Sequence, residues 1–295
     1  EAAIAKLATA GTTYSVDKDL YFQVNSDPDF GSRSHLSQAK MLEIFAERGG
    51  DPARVGKRDP LDALLWLAHR PGEPSWPSAN GEGRPGWHIE CSAMSLKLLD
   101  GHVDIHVGGI DLRFPHHENE RAQSNALIDE EAVDLWVHGE HLLFEGRKMS
   151  KSSGNVVLLS DVIERGLDPL AIRLCFLENR YRSQMDLTWK SIEAANETLK
   201  RWRLKMAQWS TDNSIEIDSE IEHAFNTDLD TPKAIIRLRE IEKDSSENKA
   251  SVFRYADQVL GLDLERAAEQ KVLTPHMQDL IDQRSAARLE KRWSD

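Results

Sequence analysis

The sequence predicts an α/β fold followed by an α-helical bundle, and three patterns lead to this prediction. Residues 103–107 form a buried-strand candidate that ends in Gly108 and Gly109, and glycines at a strand's carboxyl end leave the backbone open to close approach. Residues 135–143 predict a further strand. From Thr188 onward, apolar residues recur at three- and four-residue steps, which is typical of packed helices.

The elements before these strands follow from local patterns. Residues 2–9 have helical composition, and the alternating stretch 13–24 predicts a strand or a hairpin. Residues 36–48 predict an amphipathic helix that ends at Gly49 and Gly50. The density of Pro, Gly and Ser in residues 71–85 predicts an irregular loop.

Helices dominate the predictions for the second half of the chain. Ser160 and Asp161 could cap a helix that ends at Gly166, and Asp168 precedes a longer helix that runs to about residue 180. Pro232 at a first turn marks another helix start. The further predicted helices span residues 218–226, 231–247, 249–260 and 274–292.

Three side chains have the chemistry and spacing of metal ligands. Pro115 fixes the chain ahead of a helical stretch in which His116 and Glu120 are i, i+4 neighbours on one face. Cys91, expected at the edge of a strand or helix, would add a sulfur ligand. Closed zinc sites usually have four ligands, so a fourth position is open or filled from elsewhere. The alternatives are a plain buried cysteine and, for His117, a supporting hydrogen bond.

Residues 148–155 form a basic, hydroxyl-rich stretch. Lys148 and Lys151, with Ser150 and Ser152 between and after them, could fold over a triphosphate and stabilise the charge that develops on a leaving pyrophosphate. A Lys/Ser loop taken alone is more often solvated surface. Its occurrence after the Cys/His/Glu set favours a phosphate-binding role.

At these motifs the sequence resembles the class I aminoacyl-tRNA synthetases, and among them cysteinyl-tRNA synthetase. The resemblance extends over roughly residues 10–240 and rests on Gly-Trp-His-Ile-Glu-Cys-Ser-Ala-Met, Phe-Pro-His-His-Glu-Asn-Glu and Lys-Met-Ser-Lys-Ser. That family's His-Ile-Gly-His motif and its first zinc cysteine lie in an N-terminal segment that is not in this sequence. Because position 1 is Glu, we expect the sequence to come from a longer chain.

The resemblance implies three regions, beginning with the C-terminal part of a Rossmann-like catalytic core. Residues 1–145 would form the nucleotide-binding domain, with an insertion at 1–60. Residues 146–186 would hold the lysine loop and a connecting helical segment, and residues 187–295 a helical bundle of the tRNA-binding type.

The resemblance also implies an activity, the formation of cysteinyl-adenylate from L-cysteine and ATP with Mg²⁺, followed by transfer to tRNA(Cys). One zinc ion per chain would be held by Cys91, His116 and Glu120. Lys148 and Lys151 would be catalytic. The implied contacts to ATP are Lys148, Ser150, Lys151 and Ser152, and those to the amino acid are Trp87, His106, Gly109 and Asp111.

Two alternatives stay open beside the tRNA ligase. The related ligase of mycothiol biosynthesis makes the same adenylate but passes cysteine to an amino sugar, and residues 47–52 and 228–234 resemble it too. Asn119 next to Glu120, and the extension at 274–292, favour the synthetase. The other alternative is a non-catalytic, zinc-containing paralogue that binds RNA or has a regulatory role.

Composition places the chain with globular, non-membrane proteins. Its 295 residues are 40% hydrophobic and 29% charged, with no apolar run near the length of a membrane span. Two cysteines give no disulfide framework, so we expect a reducing cytoplasm and, from the resemblance, a monomer.

With a net charge of −13, RNA contact would need a local basic face. The candidates are Lys200, Arg201, Arg203 and Lys205, and Arg284, Arg288, Lys291 and Arg292, although a solvated helix face with interspersed acids is at least as good an interpretation of each set.

Overall fold

The computed structural model describes residues 1–149, 156–209, 213–245 and 248–266, and beyond these only Asp279, Gln283, Arg284 and Ala286. The chain divides into two compact units. The first comprises Glu1–Leu142 and Tyr181–Met185, and the second Leu143–Arg180 and Asp186–Asp295. The functional division at residues 145 and 186 stays a prediction.

The first unit begins with a helix and an antiparallel sheet whose strands lie in the order β1-β2-β3-β4. The helix at 2–9 and the hairpin were both predicted, and β4 forms at the end of the loop predicted at 71–85. The elements are α1 (Ala2–Thr9), β1 (Thr13–Val16), β2 (Asp19–Phe22), α2 (Gln38–Glu47), β3 (Ala63–Ala68), β4 (Gly83–Pro85) and α3 (Trp87–Leu98).

A βαβ unit follows, made of β5 (Val103–Gly109), α4 (Glu118–Ile128) and β6 (Val133–Gly139). The two strands pair in parallel, with Val103 opposite Val133 and Gly109 opposite Gly139. A connecting helix is the usual way for consecutive strands to pair in parallel. Side chains from α1, β3, α3 and α4 share one buried core, which includes Leu7, Leu65, Ile89 and Leu127.

Strand β5 forms where predicted, but the prediction that it is buried is wrong. The side chains of Ile105 and Val107 are on the exposed side of the strand, with residue exposures of 59% and 64%. His106, between them, is partly buried. Successive side chains of a strand point to opposite faces of the sheet. The His106 face packs against His117, with ring centroids 4.6 Å apart, and no described residue covers the other face.

Cys91 lies inside a helix and not at the edge of an element as expected. Helix α3 begins at Trp87, directly after Gly86 in extended conformation. A Cβ at Gly86 would collide with the carbonyl oxygen of Leu64, so the chain can leave β4 here only without a side chain. The helix then carries Cys91 in its second turn.

The strand predicted at 135–143 is in fact two. Strand β6 ends at Gly139, and β7 (Leu142–Phe144) begins after the break at Glu140 and His141. The amide of Glu140 donates to the carbonyl of Tyr181, 2.7 Å away, instead of continuing the pairing with β5. A change of pairing partner, which periodicity cannot reveal, divides the apolar run.

The second unit combines a small sheet, in the order β8-β7-β9, with helices. The helices confirm the predicted bundle, although the one predicted at 231–247 ends at Ile241, and residues 274–292 lie outside the described part except for four positions. Its other elements are β8 (Arg147–Lys148), α5 (Leu159–Glu164), α6 (Leu170–Leu177), β9 (Met185–Leu187), α7 (Trp189–Trp209), α8 (Ser219–Asn226), α9 (Thr231–Ile241) and α10 (Lys249–Leu260).

The four basic residues of α7 that were candidates for RNA contact are held in ion pairs. Nε of Arg201 and Nζ of Lys205 each lie 2.8 Å from Oε1 of Glu242. Arg203 is 6% exposed and pairs with Asp168, and Lys200 pairs with Glu197. These ion pairs favour a solvated helix face with interspersed acids over an RNA-binding face.

Among the described residues, no helix has the length and apolar character needed to cross a bilayer.

Candidate metal centre

Cys91, His116 and Glu120 come together although 25 residues separate the first two in sequence. A kinked turn, Arg113–His117, in which Phe114 is extended, leads directly into α4. Nε2 of His116 lies 2.6 Å from Oε1 of Glu120. The ligand atoms of the three side chains all lie within 4.8 Å of one another. His116 and Glu120 are buried and Cys91 is partly buried, so the group is shielded from bulk water.

The electrostatics of this group favour a cation between its members. Burial would raise the pKa of Glu120, but the neighbouring imidazoles of His106 and His116 outweigh it and lower the pKa to about 2. Burial, together with the charge of Glu120, raises the pKa of the Cys91 thiol to about 11. The carboxylate is therefore ionised at neutral pH. The thiol keeps its proton unless a metal ion or another cation binds and displaces it.

The residues present fit a zinc ion. Thiolate, imidazole and carboxylate are the three ligand types that zinc takes in proteins. Oε2 of Glu120 is buried and accepts no hydrogen bond of good geometry, although Nε2 of His106 lies 3.1 Å away. An unpaired buried carboxylate oxygen is costly, and metal ligation would satisfy it.

A second group shares Glu120. The ligand atoms of His106, His117 and Glu120 also lie within 4.8 Å of one another. His106 belongs to β5 and was expected to contact the amino acid, and His117 was expected to support a ligand. Glu120 is common to both groups and lies next to the imidazoles of both.

Two further histidines, neither predicted to contribute, support these side chains. Nδ1 of His88 lies 2.8 Å from Nδ1 of His116, and Nε2 of His138 lies 2.9 Å from Nδ1 of His117. Burial lowers the pKa of His88 to about 3, so this ring is neutral and can share a single proton with His116. The sequence spacing could have identified His88, because it precedes Cys91 by three residues and therefore lies on the same face of α3.

Replacing His88 by phenylalanine is expected to weaken zinc binding by about 10- to 100-fold, the usual cost of losing a group that orients a ligand. Phenylalanine keeps the ring but not the nitrogen that holds His116. Zinc affinity measured by competition with a chelator would check this. His102→Phe, at a histidine that contacts Asp134, is the control; equal affinity in the His88 variant and the wild type would contradict the role.

The other residues expected to contact the amino acid lie around the same group. Trp87 is 54% exposed, and its ring centroid lies 4.2 Å from that of His116. Asp111 follows the end of β5, and its Oδ1 lies where a Cβ at Gly109 would collide with it. A glycine at 109 is thus what lets the carboxylate of Asp111 fold back against the strand end. Their contacts to substrate stay predictions.

Of the predicted phosphate-binding residues, the structure describes Lys148, which belongs to the second unit. Lys148 ends β8 and is exposed. Ser150, Lys151 and Ser152 lie outside the described residues. Their role therefore stays a prediction from the sequence.

The parallel βαβ unit gives the first unit an α/β architecture, and the candidate metal centre lies beside it. Residues 1–197 match the family model of the class I (C) tRNA synthetase catalytic domain. The chain belongs to this family, which confirms the predicted α/β, Rossmann-type fold class.

Individual proteins that are similar to this chain have more specific names than the family model. An L-cysteine:1D-myo-inositol 2-amino-2-deoxy-alpha-D-glucopyranoside ligase of Thermomonospora curvata is 44% identical over 80% of this chain and 57% of its own length. A ligase of the same name from Acidothermus cellulolyticus is 40% identical over 88% of the chain and 66% of its own length. A methionyl-tRNA synthetase structure from Mycobacterium tuberculosis has 13% identity and a TM-score of 0.48 over 88% of this chain and 68% of its own. The chain spans between about half and two thirds of the length of the curated relatives it matches.

Proposed function

We propose that this protein joins L-cysteine to the amino group of 1D-myo-inositol 2-amino-2-deoxy-α-D-glucopyranoside, with ATP as the energy source. The observation that carries the proposal is identity of 40–44% with ligases of that name over 80–88% of the chain. This is the amino-sugar alternative of the sequence analysis.

The reaction has two steps. A carboxylate oxygen of cysteine attacks the α-phosphorus of ATP, and the bond to pyrophosphate breaks. The amine of the sugar then attacks the carbonyl carbon of cysteinyl-adenylate, a C–N bond forms, and AMP leaves as the amine loses a proton. Neither step needs a covalent bond to the protein, so positioning and charge stabilisation supply most of the acceleration.

The residues of the chain have separate proposed roles in this reaction. Cys91, His116 and Glu120 would hold a zinc ion, which when bound takes the sulfur of cysteine as thiolate and disfavours the oxygen of serine. Trp87 would border the amino acid, and Asp111 would pair with its ammonium group. The lysine residues 148 and 151 would bind the phosphates.

Transfer to tRNA(Cys) is less well supported than transfer to the amino sugar. Asn119, which the sequence argument counted in favour of tRNA, donates its side-chain amide to the carbonyl of Pro115, 2.8 Å away. This bond holds the turn before α4, a structural role that carries no information about the acceptor. The ion-paired face of α7 likewise offers no spare positive charge from Arg201 or Lys205.

The test offers purified protein both acceptors with ATP, Mg²⁺ and labelled cysteine. We expect a cysteine–amino sugar amide, detected by mass spectrometry, and AMP release that depends on the amino sugar. tRNA(Cys) transcripts should remain uncharged. Charging of tRNA without amide formation would overturn the proposal, as would the absence of both products.

A further inference from the structure

The first unit contains a cavity of about 300 Å³ beside β6. None of the residues predicted from the sequence to contact cysteine, ATP or zinc lines it. Its wall includes His117, the neighbour of the candidate ligand His116. The side chains that matter to its chemistry are Arg113, Glu118, Arg121, Trp136, His138 and Arg182.

Three buried polar atoms of this wall make no hydrogen bond within the part of the chain that the structure describes. They are Oε2 of Glu118, Nε of Arg121 and Nε1 of Trp136, although Nε of Arg121 lies 3.7 Å from Oε1 of Glu118. Glu118 and Arg121 are 1% and 3% exposed, respectively. Because natural proteins leave few buried polar atoms unsatisfied, one acceptor and two donors at one cavity indicate a ligand that both donates and accepts.

The rim of the cavity adds fixed positive charge. The guanidinium of Arg113 has no hydrogen bond or ion pair with any described residue, and its charge acts on His138. Burial first, and then the charges of Arg113 and other neighbours including Arg182, lower the pKa of His138. Arginine here can donate to neighbouring oxygens of one ligand.

The balance of charges decides between two classes of ligand. A fully ionised phosphate ester would accept from the arginines but has no proton to donate to Glu118, and the carboxylates of Glu118 and Asp134 would repel its charge. Hydroxyl groups donate to a carboxylate and accept from a guanidinium, so a ring with several hydroxyls can satisfy both. The indole of Trp136 supplies an apolar surface for the ring's C–H groups.

We propose that this cavity binds the polyhydroxylated part of the acceptor, with Glu118 and Arg113 hydrogen-bonded to its hydroxyls. The inference rests on the proposed function and assigns the acceptor its site. The position is consistent with transfer, because His117 lines the cavity and packs against His106 of the metal-ligand groups, with ring centroids 4.6 Å apart.

The test separates acceptor binding from cysteine activation. Arg113→Gln and Glu118→Gln should each raise the KM for the amino sugar by about 10-fold or more, the effect of losing a hydrogen bond to a charged group. Cysteine-dependent ATP–pyrophosphate exchange, which needs no acceptor, should stay close to wild type and reports that each variant is folded. Arg84→Gln is the control, because Arg84 pairs with Glu73 elsewhere in this unit.

The possible outcomes are distinguishable. An unchanged KM for the amino sugar in both variants, with wild-type transfer intact, overturns the assignment of the cavity. Exchange that falls in parallel with transfer overturns it as well, because the residues would then act on activation or folding. If the wild type exchanges pyrophosphate but transfers no cysteine to the amino sugar, the proposed function fails and the inference falls with it.

Discussion

Replacing Cys91 by serine is expected to remove most of the bound zinc and to lower cysteine-dependent ATP–pyrophosphate exchange on the order of 100-fold or more. Sulfur is the soft ligand of the group, and a serine hydroxyl at the same place neither ionises at neutral pH nor matches its affinity for zinc. The KM for cysteine should rise, because the substrate's sulfur is proposed to bind the same ion. Metal analysis and exchange assays on the purified variant measure both effects.

The second cysteine of the chain provides a matched control. Cys175 is buried in α6, in the other unit, and is not part of either metal-ligand group. Cys175→Ala should retain both zinc and exchange, although loss of its packing can lower the melting temperature. If the Cys91 variant kept its full zinc content, the ligand assignment would be wrong.

Replacing Glu120 by glutamine should have an effect at least as large, because this carboxylate belongs to both groups of potential ligands. The amide keeps the size of the side chain but loses the charge next to His106 and His116. We expect the zinc affinity to fall by more than the roughly 10- to 100-fold cost of losing a supporting group. Exchange should fall with it.

Glu118 provides the control for this substitution. It lies two residues earlier, is equally buried, and accepts a hydrogen bond from the amide of Gly31 at 2.9 Å. Glu118→Gln should therefore keep the metal while affecting the acceptor. Wild-type metal content in the Glu120 variant would remove Glu120 from the ligand set.

Local patterns predicted the elements that depend on neighbours in sequence. The helix at 2–9, the hairpin after it and the helices of the second unit all form near their predicted positions. The i, i+4 spacing of His116 and Glu120 placed their side chains on one face, as the 2.6 Å contact between them confirms. Helical periodicity relates residues within one or two turns, so such pairs can be recognised without a structure.

Contacts that depend on packing were not predicted. Ile105 and Val107 have the composition of a buried strand, but burial depends on what covers a sheet face and not on the strand itself. The bond between His88 and His116 joins residues 28 positions apart, and the cavity beside β6 gathers side chains from several elements. No spacing rule acts over such separations.

The sequence by itself determined the types of ligand, the pairing of His116 with Glu120 and the order of helices and strands, because these depend on chemistry and local periodicity. Only the tertiary structure decided that Cys91 lies inside α3 with its thiol close to that pair. It also decided that Glu118, Arg121 and Trp136 bring to a common cavity polar atoms that make no hydrogen bond with any described residue. The physical reason is that α3, α4 and β6 are positioned by the core they share, and the distances between their side chains arise only when that core packs.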